Sequence, residues 1–231
     1  QAVAAACTAS GLACHVRHGD VILPPGSVLK DDGAPYSVFT PFKRRWHHRC
    51  APDQRIPLPP VGLLTAQDPR ALSKLEAPPP DALALLPDTP IDAEWPAGED
   101  AAKARLAEFL EQRIHRYSDE RDFPGKRSTS RLSPYLSLGA LSVRAAYHQA
   151  EAAGPAAESW LNELIWREFY RHVVYLHPHV SQGHSFRRTY DELPWRHDPE
   201  ALAAWKAGQT GYPLVDAGMR QLAQTGFMHN R

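Results

Sequence analysis

Two rhythms of apolar residues run along this chain, and the change between them falls near residue 98. Beyond that point the spacing is helical. Leu106, Phe109, Leu110, Arg113, Ile114 and Tyr117 fall at three- and four-residue steps, which predicts an amphipathic helix over 100–117. Ser142 is placed to cap a helix running to about Ala153, and further helices are predicted from about Trp160 to Leu176, over 199–207 and over about 213–224, the last stopped at Gly226. No period-two alternation appears in this half, so it is predicted to be all-α. Upstream the pattern is mixed. An Ala-rich stretch reads as a helix ending at Ser10-Gly11, Leu12 to Val16 as a short strand, and Val21-Ile22-Leu23 as a second apolar triplet before Pro24-Pro25. Helix followed by strand suits part of a parallel sheet. Pro41 opens a short helix with Thr40 as its cap. Residues 51–97 show weak periodicity, and Pro78-Pro79-Pro80 excludes helix interior there, so a long linker is expected, with one helical turn near Pro69 to Leu75.

Composition narrows the classes. The 231 residues are 43% hydrophobic, enough to bury a sizeable core. Twenty-six Lys and Arg balance 26 Asp and Glu, so any nucleic-acid partner has to be recognised by a local site rather than by bulk charge. Three cysteines without a CxxC pair argue against a disulfide framework or structural zinc and fit a reducing, cytoplasmic setting. No run of 18 apolar residues occurs, so no membrane span is expected. Gln1 opens the chain inside an apparent helix and Arg231 closes it at the start of a polar segment, so the chain is read as a piece of something longer.

The helix at 160–176 carries the most chemical information. At 100° per residue, Leu161, Ile165, Phe169 and Val173 share a core stripe, while Trp160, Glu163, Trp166, Arg167 and Tyr170 share an arc on the other side. Two Trp, a Tyr, a Glu and an Arg together suit the wall of a cavity for a flat, polar, aromatic ligand. A Glu–Arg pair beside core aromatics accounts for the pattern equally well. The run Ser128-Thr129-Ser130-Arg131-Leu132-Ser133-Pro134 precedes a helix start, with Ser133 as cap. Hydroxyls, free N–H groups and a helix dipole make an anion site, though a capped loop without ligand is the simpler account of the run alone. The basic run Lys43 to Arg49 reads as a solvated helix face. His177 and His179, and His47-His48, lack accompanying ligands at metal spacing, and no metal is expected.

Longer stretches carry a resemblance. Trp160-Leu161-Asn162-Glu163-Leu164-Ile165-Trp166-Arg167-Glu168-Phe169-Tyr170 is similar to the flavin-domain signature of the photolyase/cryptochrome family. So are Trp205 to Ala217, Met219 to Leu222, Thr225 to Arg231, Arg121-Asp122-Phe123-Pro124 and Thr129 to Leu136, and Val38-Phe39-Thr40-Pro41-Phe42 resembles the end of the family's antenna domain. The resemblance implies an α/β plus all-α chain: the C-terminal part of a parallel-sheet antenna domain over 1–45, an interdomain linker over 46–97, and the first part of an all-helical FAD-binding domain over 98–231. It implies light-driven repair of cyclobutane pyrimidine dimers in DNA by electron transfer from excited reduced FAD, with damaged DNA as partner and a monomeric, cytoplasmic protein. A cryptochrome photoreceptor or an enzyme for the (6-4) lesion is the alternative on the same fold.

The family's roles attach to matching positions. Tyr117, Thr129, Ser130, Arg131, Leu132, Ser133 and Trp160 resemble FAD contacts, the hydroxyl run holding the pyrophosphate, with Arg167 beside them. Glu163 resembles the carboxyl that hydrogen-bonds the flipped dimer, and in a desolvated pocket it is expected to stay protonated and donate. Trp166 resembles the aromatic that packs on the dimer. Arg167, Asn230 and Arg231 resemble residues lining the pocket or touching nearby DNA, with Asn230 among the groups at the reacting centre. Trp195 resembles the outermost Trp of the electron-transfer chain. The departures are Phe227 where Trp is common, and His15 and Gln182 where a folate antenna is usually gripped, so whether the second chromophore is a folate or a deazaflavin stays open. The chain stops before further flavin contacts and is expected, by itself, neither to hold FAD tightly nor to repair DNA.

Overall fold

A computed structural model describes residues 2–11, 13–14, 18–57 and 94–231. The proposed helical turn at 69–75, most of the linker and His15 lie outside the described residues, as does much of the proposed strand at 12–16. By compactness the chain divides into two units, one of residues 1–57, 98–196 and 231, the other of 58–97 and 197–230. Each is described by itself. No strand occurs among the described residues, and none of their helices is long and apolar enough to cross a membrane.

In the first unit, α1 spans Ala2–Ala9 and stops where Gly11 takes φ +69°. The triplet Val21-Ile22-Leu23 is fully buried but joins no ladder. Its backbone is satisfied by side chains instead: Ile22 and Leu23 N–H donate to Glu168, and Arg144 donates to the Ile22 carbonyl at 2.6 Å. Helix α2, Phe39–Arg49, begins earlier than expected. Val38 occupies the cap position and Thr40 makes no capping bond; Pro41 falls in the first turn, where its missing N–H costs nothing. Phe42 and Trp46, one turn apart, are its buried face.

The helix expected over 100–117 is two helices, α3 (Glu99–Gln112) and α4 (Ile114–Glu120), broken at Arg113 with φ −126°. The buried positions explain the break. Leu106 and Phe109 keep helical spacing, but the next buried residue, Ile114, is five positions on, off the face of a continuous helix. Bending at Arg113 brings Ile114 and Tyr117 back to the core, and the Arg113 guanidinium is held by the Thr129 carbonyl at 3.1 Å and by Glu108. Helix α5, Ser133–Leu138, starts with Ser133 inside it, so Leu132 and not Ser133 is the cap residue. Helix α6 covers Val143–Glu151 and α7 covers Glu158–Leu176.

The buried face of α7 is rotated from the expected stripe. Ile165 and Phe169 are buried as expected, but Leu161 and Val173 are only half-buried, and Trp160, Leu164, Glu168 and His172 take the interior. Glu168 is 1% exposed, among the largest fully buried side chains of the chain.

In the second unit, α8 (Pro199–Ala207) is capped by the Asp198 carboxylate, which accepts from Ala201 N–H at 2.9 Å, and α9 spans Pro213–Thr225. The turn between them closes on Asp216. Its carboxylate accepts from the Thr210 hydroxyl at 2.6 Å and from the N–H groups of Thr210 and Gly211 at 2.7 and 3.0 Å, bonds that hold it below the ordinary aspartate range. Trp95 donates to the Thr225 carbonyl at 2.7 Å and packs on Phe227.

Candidate flavin and lesion site

The hydroxyl run lies between α4 and α5. Ser128 is buried and committed to structure, its hydroxyl donating to the Glu120 carbonyl at 3.0 Å. Thr129, Ser130 and Arg131 are half-buried and Ser133 is exposed, leaving three hydroxyls in reach of a ligand. Arg131 has φ +54°, the one non-glycine residue among those described in the left-handed region. Helix α5 has only six residues, so its dipole adds little and the donors are mainly the loop's own. A loop of hydroxyls and N–H groups, with no carboxylate in the run, is a donor set that fits a pyrophosphate. Leu132 is buried and faces the core. Tyr117 and Trp160 meet around Phe109, with ring centroids 5.7 and 5.4 Å from it; burial pushes the Tyr117 hydroxyl up to about 12, so it is a neutral donor at any physiological pH.

Glu163 stands on the half-buried side of α7. It is not in an apolar pocket: Arg121, at the end of α4, pairs with it at 2.7 Å. Arg121 lies over the Tyr117 ring at 5.3 Å and reaches Ser159 Oγ at 3.3 Å and Asp122 at 3.7 Å; Asp122 in turn holds Arg231 at 2.5 Å. Glu163, Arg121, Asp122 and Arg231 therefore form a row of alternating charge. Burial opposes the charge of Arg121, but the Glu163 hydrogen bond together with the charges of Glu163 and Asp122 and the Tyr117 hydroxyl outweighs it, and the net effect raises its pKa. Glu163 here accepts from a guanidinium, so the donor role expected of it requires a change of partner.

Trp166 is half-buried and stacks on Phe39, centroids 3.7 Å apart and planes 8° from parallel, with Tyr170 5.7 Å away. Arg167 does not reach the 128–133 loop through any hydrogen bond among the described residues. It donates to the carbonyl and carboxylate of Asp20 and, at 3.3 Å, to the Leu136 carbonyl, beside a cleft of about 410 Å³ that Arg171 and Ser142 also line. Trp195 is 71% exposed. Asn230 is exposed and belongs to the second unit; Gln182 is exposed at the end of the 3₁₀ turn Pro178–Gln182.

Three residues without an assigned role in the sequence reading emerge. Arg121 was visible only as the first letter of a motif. Glu168 read as one more charge on a helix; its neighbours Phe169 and Ile165 were the available sign that it points inward. Phe39 stood in a stretch whose apolar character could be recognised but whose partner, 127 positions away, could not.

Known proteins match the chain in sequence and in fold. Residues 1–61 match the family model for DNA photolyase and residues 160–231 the model for the FAD binding domain of DNA photolyase. A deoxyribodipyrimidine photo-lyase of Vibrio cholerae is 43% identical over 91% of this chain and 45% of its own length. Among solved structures, a bacterial class III photolyase from Agrobacterium tumefaciens superimposes with a TM-score of 0.81 at 31% identity, covering all of this chain and 48% of that one. A Synechocystis cryptochrome superimposes with a TM-score of 0.75 at 28% identity, over 97% and 48%. The chain thus spans about half the length of the relatives it matches. On its sequence matches and its fold, the chain belongs to the DNA photolyase/cryptochrome family.

Proposed function

We propose that this chain is part of an enzyme that repairs cyclobutane pyrimidine dimers in DNA with light, using FAD. The observation that carries the reading is the placement of Glu163 and Trp166 one turn apart on α7, five and eight residues from the α7 end nearest the Tyr117–Trp160 cluster, within the segment matched to the FAD-binding domain. Residues 1–45 are read as the end of the parallel-sheet antenna domain, 46–97 as linker and 98–231 as the flavin domain. The protein is read as monomeric and cytoplasmic, with a folate or a deazaflavin as its second chromophore.

Reduced FAD, when bound, supplies the photo-excited electron. The protein's part is geometry and electrostatics. Thr129, Ser130, Ser133 and the N–H groups around Arg131 hold the pyrophosphate, flanked by Tyr117 and Trp160. A damaged base pair is weakly stacked and inexpensive to flip out. Trp166 offers the flipped dimer an aromatic surface, and Glu163 faces the base carbonyls on which negative charge arrives. Arg121 and Arg231 are the cations beside Glu163, and a DNA phosphate is the anion that competes for them. That exchange frees the Glu163 carboxyl from its guanidinium partner to meet the base. Asn230 and Arg167 are assigned to the pocket and the adjoining DNA, and Trp195 to the outer end of the electron path that reduces the flavin.

The test is made on the full-length, flavin-loaded protein. With the flavin reduced, blue light is expected to restore a thymine-dimer oligonucleotide and darkness is not. Absence of repair with flavin bound and reduced overturns the reading and favours a photoreceptor of the cryptochrome kind.

A further inference from the structure

Four successive residues of α7 engage the N-terminal segment. Trp166 stacks on Phe39, Arg167 binds Asp20, Glu168 takes the N–H groups of Ile22 and Leu23 and, at 2.6 Å, the indole of Trp46, and Phe169 packs against Phe42 with centroids 5.1 Å apart. Four consecutive positions sweep most of the way around a helix, so the N-terminal segment wraps this part of α7 rather than lying along one side. Phe39 is the first residue of α2, and α2 is fixed to α7 through Trp46 and Phe42. Phe39 is itself steadied edge-on by Phe169, at 6.0 Å and 71°.

A tryptophan on the half-buried side of a helix has several rotamers open to it. Here the indole lies parallel to the Phe39 ring at 3.7 Å, its tightest ring contact, with Phe169 edge-on and Tyr170 each 5.7 Å away. We infer that Phe39 is a positioning residue for Trp166, backing one face of the indole so that the other meets the flipped dimer; the N-terminal domain thereby forms part of the lesion-binding apparatus. This inference rests on the dimer-repair reading, which assigns Trp166 to the lesion. An aromatic pair in this geometry adds a stacking preference beyond the area it buries. Losing it exposes dimer binding to rotamer disorder of the indole, a loss of about three- to tenfold in affinity.

The experiment measures binding of a thymine-dimer duplex and of the same duplex undamaged to the full-length, flavin-loaded protein. Compared are wild type, Phe39→Leu, Phe39→Met, Phe39→Tyr, and Phe39→Leu on a Trp166→Ala background. Phe39→Leu is expected to weaken dimer binding about three- to tenfold, leave undamaged-duplex binding unchanged, and have no further effect once Trp166 is gone. Phe39→Tyr, which keeps the ring, is expected to bind as wild type; Phe39→Met, which fills the space without a ring, is expected to behave as Phe39→Leu and serves if that variant fails to fold. Wild-type affinity in both ring-less variants overturns the inference. So does a gain in affinity, which means that Phe39 covers the face the dimer needs. A wild-type protein that does not prefer the dimer duplex at all removes the repair reading, and this inference with it, an outcome distinct from the other two.

Discussion

Removing the acceptor of Glu168 leaves three buried donors without a partner. Ile22 N–H, Leu23 N–H and the Trp46 indole N–H all point at this one carboxylate, which is 1% exposed. A buried polar group stripped of its partner costs roughly 1–3 kcal/mol. The Leu23 bond, at 3.3 Å, is the weakest, and relief of the desolvation of Glu168 offsets part of the total. Glu168→Ala is therefore expected to destabilise the protein by about 3–5 kcal/mol. Glu168→Gln keeps one carbonyl acceptor but turns an amide NH₂ toward N–H donors, and about 2 kcal/mol is expected at low pH. The pH dependence has a definite sign. Burial raises the Glu168 pKa, and the three N–H donors only partly oppose it. A carboxyl whose folded pKa lies above its unfolded one favours the fold below the ordinary glutamate range and loses that contribution as pH climbs through the raised value. The gap between wild type and Glu168→Gln should therefore narrow as pH rises from that range toward neutrality. Urea denaturation followed by far-UV circular dichroism at a series of pH values reads both quantities. A cost under 1 kcal/mol for Glu168→Ala, or a gap between wild type and Glu168→Gln that widens with pH, refutes the reasoning.

Three shorter predictions follow from other sites. Glu163→Ala in the full-length protein should lower the yield of light-driven dimer repair while flavin absorbance stays stoichiometric; full yield removes the role given to Glu163. Trp166→Ala should weaken dimer-duplex binding about 5- to 150-fold, the scale of about 1–3 kcal/mol for base–aromatic stacking, with undamaged DNA bound as before. Gly208→Ala should lower the melting temperature: Gly208 has φ +63°, and a Cβ there would stand 2.8 Å from the Asp216 carbonyl, so a loss of about 1–3 kcal/mol is expected, and an unchanged melting curve contradicts the tight approach of α8 and α9.

Legibility in the sequence tracked how local the physics was. Helices α8 and α9 were readable almost to the residue because their signals are local: Asp198 before Pro199, Gly208 after Ala207, Pro213 and Gly226 at the two ends. The break at Arg113 has no Gly or Pro to announce it; it follows from where Ile114 must go in the tertiary core. Ser133 and Thr40 looked like caps because of their residue type, yet the cap residues are Leu132, one position before Ser133, and Val38, two positions before Thr40. In the candidate site, the motif singled out Glu163 and Trp166, but their partners Arg121 and Phe39 come from distant parts of the chain and no periodicity joins them. Glu168 was the hardest to see. A charge beside Arg167 on an amphipathic helix ordinarily faces water, and only the bare backbone of residues 22–23 explains why this one does not.

The clamp on α7 constrains protein engineering. An N-terminal domain exchanged for that of a relative, with the join placed in the linker, would cut the chain where it is convenient and the interactions where it is not. The recipient helix would still present Trp166, Arg167, Glu168 and Phe169 to a donor segment that has to supply an aromatic ring, an acidic residue, two free amides and a second ring at matching places. The natural unit of transplantation is the N-terminal segment together with this one turn of α7, and chimeras that carry both across are the ones expected to fold with these contacts intact.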